Sequence, residues 1–449
     1  MKNKLLLVLV FISSFLSAQN IVGSWEGTLK VSNVELPLII HIQREDGNYT
    51  STFDSPKQGA KGIPLTTTSF ENGKLHLEAQ KFNISYDGRL EFDTIKGEFK
   101  QNGMTFPLEL KRMNQPFSFN RPQTPKPPFH YNEKEVFIKN NIEGNQLAGT
   151  LVTPKNTKNK NFPILVMITG SGSQDRNETL FGHQPFWVIA DYLAQKGIGS
   201  LRLDDRGIGK SEKGKKGATT ADFATDISSA VDYLVAQNFT NIGLLGHSEG
   251  GMIAPMVAIK NPKVKFQILL SAPGVPIKDL MIKQTSMLTN TSNMESKNSQ
   301  LYDFIIHYQG KNLKTDIEKW IRQNFINDIP KEQLNAFAKQ QSQMLSHPWF
   351  VYFIQFNPDD YLAKTKIPTL ALNGSLDRQV SAKENLNGIT KSLQKANNQN
   401  FKIVEIKGLN HLFQTAKTGH PNEYAEIEET FSPKALKMIS DWVLSHKKN

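Results

Sequence analysis

The chain of 449 residues contains no cysteine, so disulfide bonds cannot contribute to its stability and no cysteine near its start can carry a lipid. Beyond the first eighteen residues, no apolar run approaches the ~20 residues that a helix needs to cross a bilayer. The sequence therefore predicts no stable membrane insertion. Its net charge of +11 is spread out, and the denser lysine runs at 155–160 and 213–216 lie in polar surroundings without aromatic residues. We predict no nucleic-acid partner.

The first eighteen residues differ from the rest of the chain. Lys2 and Lys4 precede an apolar run over residues 5–16, and Ser17 and Ala18 are small residues suited to cleavage. This pattern predicts a secretory signal peptide over residues 1–18. The alternative, a retained anchor, is disfavoured because the run is too short to span a bilayer. We expect a periplasmic or secreted protein after removal of this segment.

Residues 19–113 alternate short apolar and polar stretches with turn residues, which is typical of antiparallel strands. We predict a small all-β, barrel-like domain here. Its Gly-x-Trp opening at 23–25 resembles lipocalin-like barrels, but three residues specify no ligand, and a purely structural barrel is favoured. The predicted hairpin turns are Gly-Asn at 47–48, Asn-Gly at 72–73, Asp-Gly at 87–88 and Asn-Gly at 102–103.

Residues 114–132 are rich in proline and are predicted to form a semi-rigid linker. Over residues 133–449 the pattern changes to alternating strands and helices, which is typical of a mostly parallel sheet covered on both faces. The eight predicted strands are residues 136–139, 147–153, 164–169, 199–203, 242–246, 267–271, 369–373 and 401–406. The predicted helices are residues 185–195, 221–237, 249–259, 382–394 and 433–445.

Residues 275–366 separate the sixth and seventh predicted strands, where a short crossover would suffice. Their composition predicts a helical insertion, and its position makes it a candidate lid. The insertion contains a cluster of aromatic residues for which core packing is favoured over pocket lining. These residues are Phe350, Tyr352, Phe353 and Phe356.

The segment 246–250, Gly-His-Ser-Glu-Gly, carries the first chemical signal. It follows the apolar strand 242–245 and precedes an apolar helical run, and its glycines allow a sharp strand-to-helix turn. A serine hydroxyl is a poor nucleophile at neutral pH unless a base contacts it. Ser248 on such a turn is therefore predicted to be a catalytic nucleophile.

A base and an orienting acid are expected further along the chain, in the order acid and then histidine. Asp377 follows the seventh predicted strand, and His411 follows the eighth. Each residue alone would be better explained as a surface Asp or a loop His. Together, in the required order and each just after a strand, they are predicted to be the acid and the base.

Other residues compete for these roles. His183 and His420 do not directly follow a strand end that faces the nucleophile turn, and His247 should point away from Ser248. Asp204 and Asp205 are better explained by a structural turn containing an Arg-carboxylate pair.

Two backbone N–H groups should stabilise the oxyanion. That of Glu249 is predicted to be the first. The second should come from the glycine-rich loop 169–176, with Ser171 preferred and Gly172 and Ser173 as alternatives, while Asp175 and Arg176 in this loop should hold it in place. A phosphate-binding loop is disfavoured here because the Gly-Lys-Ser/Thr ending is absent.

These motifs resemble the α/β-hydrolase superfamily over residues from about 136 to the end. The similarity includes the loop 169–176, an Asp-Arg-Gly-x-Gly-x-Ser segment at 205–211, the turn at Ser248, residues 374–377 and His411. Residues 170–177 and the barrel-like domain resemble two-domain bacterial carboxylesterases grouped with serine aminopeptidase-like hydrolases. The resemblance implies a Ser-His-Asp acyl-enzyme mechanism with no metal and no organic cofactor. One departure is Thr-Gly at 169–170, where many members have His-Gly.

The sequence thus predicts an exported serine esterase that acts on small-molecule esters, with short to medium acyl chains. An aminopeptidase or amidase with the same triad is the alternative. It is less favoured because prolyl aminopeptidases of the superfamily often have Trp where this chain has Glu249, and because the insertion shows no carboxylate cluster for a substrate amine. A binding protein built on an inert hydrolase scaffold is a third possibility, which an intact triad disfavours.

Overall fold

The computed structural model describes residues 20–31, 34–155, 160–289 and 294–446. The predicted signal peptide at 1–18 lies outside them. The chain divides into two compact units, Met1–Ser118 and Phe119–Asn449. Within the described ranges, no helix has both the length and the apolar character required to cross a membrane.

In its described part, the first unit is one antiparallel sheet of nine strands in the order β4-β3-β2-β1-β9-β8-β7-β6-β5. The sheet curls, as two contacts of Ser51 show. Its hydroxyl lies 2.6 Å from that of Thr68, and its carbonyl accepts the N–H of Leu65. The interior is filled by apolar side chains around Trp25. The strands are β1 (Gly23–Val31), β2 (Val34–Glu45), β3 (Asn48–Ser55), β4 (Ala60–Pro64), β5 (Thr67–Glu71), β6 (Lys74–Ala79), β7 (Ile84–Glu91), β8 (Thr94–Gln101) and β9 (Met104–Arg112).

The predicted hairpin turn at 87–88 is wrong, because both residues lie inside β7 and the chain reverses after Glu91. Gly88 pairs with Gly97 on β8. A Cβ atom on Gly97 would lie 2.8 Å from the ring of Tyr86. The Tyr86 hydroxyl lies 3.2 Å from the carbonyl oxygen of Ile95 and 3.1 Å from that of Leu108. The glycine pair therefore makes room for a buried tyrosine within the sheet.

The described part of the second unit contains a mixed sheet of eight strands in the order β10-β11-β13-β12-β14-β15-β16-β17. β10 pairs antiparallel with β11, and β11 pairs antiparallel with β13, whereas the remaining neighbours pair in parallel. The strands are β10 (Tyr131–Lys139), β11 (Gln146–Pro154), β12 (Ile164–Ile168), β13 (Gly199–Leu203), β14 (Ile242–His247), β15 (Val264–Leu270), β16 (Thr369–Gly374) and β17 (Phe401–Ile406).

Two apolar cores cover the two faces of this sheet. The central strands are buried along their whole length, as expected for parallel strands packed on both faces. All eight predicted strands and five predicted helices are present, although β10 and β15 begin earlier than predicted. Those helices are α1 (Pro185–Gln195), α2 (Thr220–Ala236), α3 (Gly250–Ala258), α10 (Ala382–Lys395) and α11 (Pro433–Ser445).

The segment between β15 and β16 is helical and has an apolar core of its own. Phe350, Phe353 and Phe356 are buried in that core, which confirms the packing interpretation for these three residues. The helices are α4 (Ile277–Thr289), α5 (Glu295–Ile306), α6 (Leu313–Asn324), α7 (Lys331–Leu345), α8 (Pro348–Gln355) and α9 (Asp359–Leu362).

From Phe119 onward, the proline-rich segment belongs to the second unit. The guanidinium of Arg121 donates to the backbone carbonyls of Phe181, Ala425 and Ile427. It thereby joins two loops that are far apart in the sequence, and both loops continue into a wall of the cleft described below.

Candidate active site

The turn after β14 holds Ser248 in a left-handed conformation, with φ of 52°. Such a conformation is uncommon outside glycine and marks a strained turn. Two glycines make this turn possible. A Cβ atom on Gly246 would lie 2.1 Å from the carbonyl oxygen of Gly250, and one on Gly250 would lie 2.2 Å from that of Ile168. The backbone N–H of Ser248 donates to the carbonyl of Leu270 at the end of β15.

Asp377 and His411 follow β16 and β17, and the structure brings them into contact. Oδ2 of Asp377 lies 2.8 Å from Nδ1 of His411, and both residues are buried. Oδ1 of Asp377 accepts the N–H groups of Gln379 and Val380, each at 2.8 Å. Because an ionised carboxylate only accepts, Nδ1 of His411 is the donor, which leaves Nε2 to accept a proton from a nucleophile.

Ser248, His411 and Ser171 line one open cleft of about 120 Å³. The walls of the cleft also include Leu180, His183, Gln379, Leu412, Tyr424 and Thr430. Asp377 does not line the cleft and contacts His411 on the side away from it. Three of the five predicted site residues therefore line one cleft, and a fourth, Asp377, supports the imidazole of His411.

The side chain of Glu249 points away from this cleft. It is buried, and its Oε1 accepts hydrogen bonds from the Thr220 hydroxyl at 2.7 Å and from Nε1 of Trp349 at 2.9 Å. Burial raises the pKa of Glu249, although these two hydrogen bonds oppose the shift. Only the backbone N–H of Glu249 was predicted to act on a substrate. Its side chain connects the nucleophile turn to α8 of the insertion.

The glycine-rich loop is held by hydrogen bonds from its own backbone. The N–H of Gly170 donates to Glu178 at 2.7 Å, that of Gln174 to Asp205 at 2.8 Å, and that of Arg176 to Asp204 at 2.9 Å. These three N–H groups therefore already have acceptors within the protein. Ser171, the predicted oxyanion donor, lies between them and lines the cleft.

Asp204 and Asp205 both support this loop. The Arg176 guanidinium forms two hydrogen bonds with Asp204, at 2.9 and 2.6 Å. Asp204 is thus in an Arg-carboxylate pair, although the arginine lies in the glycine-rich loop and not in the turn at 204–211. Asp205 also accepts the Thr169 hydroxyl at 2.9 Å. Burial raises the pKa of Asp205 to about 7, although its hydrogen bonds from Gln174 and Thr169 oppose this.

Sequence reasoning missed Glu178 and left His247 without a role. The two side chains are buried and in contact, with 2.9 Å between Oε1 of Glu178 and Nδ1 of His247. Nε2 of His247 lies 3.0 Å from the carbonyl oxygen of His411. Burial opposes a charge on His247, but Glu178 and these hydrogen bonds raise its pKa. The only signal in the sequence is a charged residue two positions after the Asp-Arg pair at 175–176.

The competing histidines have other partners. Nδ1 of His183 lies 2.9 Å from the Thr430 hydroxyl, and its Nε2 lies 2.9 Å from the carbonyl oxygen of Tyr424. Burial lowers the pKa of His183 to about 4. The His420 side chain accepts the N–H of Asn422 and so caps a short helical turn. In the described ranges, no three or more His, Cys, Asp or Glu residues are grouped to hold a metal ion.

A serine on a strand-to-helix turn, followed along the chain by an Asp-His pair at the ends of later strands, defines an α/β-hydrolase site. The family described as serine aminopeptidase, S33, matches residues 185–415, which include Ser248, Asp377 and His411. The match covers just over half of the chain. The protein belongs to this family.

A curated relative is Esterase EstD of Thermotoga maritima, 26% identical over 288 residues, which are 63% of this chain and 61% of the relative. The chain thus spans about three fifths of the length of that relative. Among solved structures, the Pyrococcus furiosus esterase Pf2001 is 15% identical, with 74% of this chain and 99% of the other covered and a TM-score of 0.43. Est1E of Butyrivibrio proteoclasticus with bound ferulic acid is 19% identical, with coverage of 69% and 98% and a TM-score of 0.41.

Proposed function

We propose that the protein is an exported serine hydrolase that cleaves small-molecule carboxylic esters through an acyl-enzyme. The observation that carries the proposal is the 2.8 Å contact between Asp377 and His411, next to a cleft that His411 shares with Ser248. The name of the Thermotoga maritima relative, an esterase, supports the choice of ester over amide.

In the proposed reaction, Nε2 of His411 takes the proton from the Ser248 hydroxyl as its oxygen attacks the ester carbonyl. Asp377 stabilises the imidazolium that forms. The carbonyl oxygen becomes an oxyanion, which accepts the backbone N–H groups of Glu249 and Ser171. As the tetrahedral intermediate collapses, His411 gives its proton to the departing alcohol, and Ser248 carries the acyl group.

Hydrolysis of the acyl-enzyme reverses these roles. A water molecule gives one proton to His411 and attacks the acyl carbonyl, and the oxyanion again lies at Glu249 and Ser171. Collapse releases the carboxylic acid, while His411 returns its proton to the oxygen of Ser248. We propose acyl chains of short to medium length.

The decisive experiment compares wild type, Ser248→Ala and the control Ser296→Ala, an exposed serine on α5. Each is assayed with p-nitrophenyl esters and aminoacyl-naphthylamides, and labelled with a fluorophosphonate. We expect Ser248→Ala to lower ester kcat by on the order of 10⁶ and to abolish labelling. Wild-type ester turnover by Ser248→Ala would refute the mechanism, and faster cleavage of the naphthylamides would make the aminopeptidase the correct assignment.

The proposal of export rests on residues 1–18. We expect the full chain, expressed in a bacterial host with a periplasm, to be recovered outside the cytoplasm with an N-terminus at Gln19. N-terminal sequencing of the purified protein measures this. Recovery of intact chain starting at Met1 in the cytoplasm would contradict export without affecting the proposed reaction.

A further inference from the structure

A second cavity of about 220 Å³ lies between the insertion and the loop that carries Asp377. One wall comes from the start of the insertion and from α4, with Val275, Pro276, Asp279, Leu280, Lys283 and Met287. The other wall comes from the segment before α10 and its first turn, with Gln379, Ser381, Glu384 and Asn385.

Gln379 lines both this cavity and the catalytic cleft. Its backbone N–H donates to Asp377, and its side-chain amide donates at 2.8 Å to the hydroxyl of Tyr424, another residue of the cleft wall. The two cavities therefore adjoin at one side chain, two residues from the proposed catalytic acid. A group that extends from Ser248 past Gln379 would enter the second cavity.

The lining of the second cavity favours an apolar group. Four of its side chains are apolar: Val275, Pro276, Leu280 and Met287. Because burial of apolar surface is the main favourable term for such a group, this wall would bind an alkyl chain.

The charged groups of the second cavity disfavour an anionic end on that chain. Lys283 is the single cation among the lining residues, whereas Asp279 and Glu384 are both carboxylates. A hydrogen bond from the Ser381 hydroxyl lowers the pKa of Glu384, so this carboxylate is ionised at neutral pH. A further negative group would be repelled.

We propose that this second cavity binds the uncharged alkyl chain of the ester substrate and sets the preference for its length. The inference rests on the proposed ester hydrolysis at Ser248. Either the acyl or the alcohol part of the ester could supply the alkyl chain. Two substrate series separate these sources: p-nitrophenyl acetate against octanoate, and ethyl acetate against octyl acetate.

Met287→Trp tests the subsite, because the larger side chain occupies the cavity. We expect the ratio of kcat/KM for the long substrate to that for the short one to fall about tenfold in one series. Met287→Glu should lower the same ratio, because it places a charged carboxylate beside the bound alkyl chain. This variant replaces Met287→Trp in the test if the tryptophan variant does not fold. Met344→Trp, at an exposed position on α7, is the matched control and should keep the wild-type ratio.

The outcomes separate the two proposals. A fall in the ratio for both Met287 variants, but not for Met344→Trp, supports the subsite, and the series in which it occurs identifies the part of the ester bound. Wild-type ratios in both series for a folded Met287 variant would overturn the subsite while leaving ester hydrolysis intact. If the wild-type protein cleaves no ester in either series, both proposals fail.

Discussion

Oε1 of Glu178 lies 2.9 Å from Nδ1 of His247, in a buried contact between a carboxylate and an imidazole. Both nitrogens of His247 face acceptors, since Nε2 lies 3.0 Å from the carbonyl oxygen of His411. Two donated hydrogen bonds require two protons on this imidazole unless Glu178 itself carries one. The pair joins the turn before Ser248 to the loop of the proposed base.

The same pair also reaches the glycine-rich loop. Oε1 of Glu178, which contacts His247, accepts the N–H of Gly170 at 2.7 Å. One buried carboxylate thus connects the proposed oxyanion loop, the nucleophile turn and, through His247, the loop of His411. The ring centroids of His247 and His411 lie 4.8 Å apart, so a displacement of the His247 ring would also displace the ring of His411.

We expect Glu178→Gln to lower kcat by about 100-fold with little change in KM, since small displacements of reacting groups cost about that much. The amide oxygen could still accept both N–H groups, but it lacks the negative charge. A neutral His247 has one N–H, so it must lose the bond to residue 178 or the bond to His411.

Steady-state ester kinetics and thermal unfolding of Glu178→Gln are measured together. Glu332→Gln, at an exposed position on α7, is the control and should match wild type. If Glu178→Gln lowers stability but leaves kcat unchanged, then Glu178 is a structural residue only and has no positioning role.

The sequence located the proposed triad because each member has a local signal. Ser248 lies in a Gly-x-Ser-x-Gly turn, and Asp377 and His411 each follow an apolar strand. Strand order then brings the last two together, because the carboxyl ends of parallel strands share one edge of the sheet. Their contact at 2.8 Å needed only the correct strand assignment.

Glu178 and Gln379 could not be found in this way. The partner of Glu178 is 69 residues away, and Gln379 contacts Tyr424 across 45 residues. Such pairings depend on how loops fold over one another, which local patterns do not encode. The turn predicted at 87–88 was wrong for a different reason: Gly88 pairs with Gly97 on the next strand, and the two glycines make room for the ring of Tyr86.

Asp205 predicts a specific dependence of stability on pH. Its pKa rises from an ordinary value of 3.8 to about 7 in the folded protein, so between about pH 4 and pH 7 the folded state holds a proton that the unfolded state has lost. The stabilisation of the folded state that comes from binding this proton more tightly is therefore fully present below pH 4 and is lost as the pH rises to 7. We expect Asp205→Asn to become more stable relative to wild type as the pH rises from 5 to 8.

Urea unfolding at pH 5, 6, 7 and 8 gives the free energy of unfolding for both proteins. Asp303→Asn, at a position on α5 where the carboxylate forms a partly exposed pair with Lys278, is the control and should show no such upward trend. A difference between Asp205→Asn and wild type that is constant over this range would show that Asp205 ionises in the folded protein as it does in the unfolded chain.

Gly250→Ala should be among the most damaging single-methyl additions in the chain. The new Cβ would lie 2.2 Å from the carbonyl oxygen of Ile168 and 2.7 Å from that of Thr169, and backbone atoms cannot move aside as a flexible side chain can. We expect a loss of about 3 kcal/mol in the free energy of unfolding together with loss of ester turnover.

The control for the Gly250 variant is Gly103→Ala. Gly103 has φ of 81°, but a Cβ atom added there would have no other atom within 4 Å, so only backbone strain of about 1–2 kcal/mol is expected. Chemical denaturation of both variants measures the difference. Equal losses would mean that the turn at Ser248 relaxes freely around an added methyl group.

Trp349→Phe should loosen the insertion from the nucleophile turn. Phenylalanine can keep the stacking on Phe353, whose ring centroid lies 4.9 Å from that of Trp349, but it cannot donate to Oε1 of Glu249. Loss of a hydrogen bond to this buried carboxyl group should cost about 1–3 kcal/mol in the free energy of unfolding. Trp320→Phe, on α6 of the same insertion, is the matched control and keeps its ring contact with Phe325.

Glu249→Gln separates the hydrogen bond from the charge. Both donors, Thr220 and Trp349, reach the same oxygen, which the amide retains. Burial raises the pKa of Glu249 because it disfavours the charged form, and the amide carries no charge to bury. We therefore expect Glu249→Gln to be as stable as wild type at pH 8, in contrast to Trp349→Phe. If thermal unfolding at pH 8 shows Glu249→Gln to be less stable than Trp349→Phe, the ionised carboxylate itself holds α8 against the nucleophile turn.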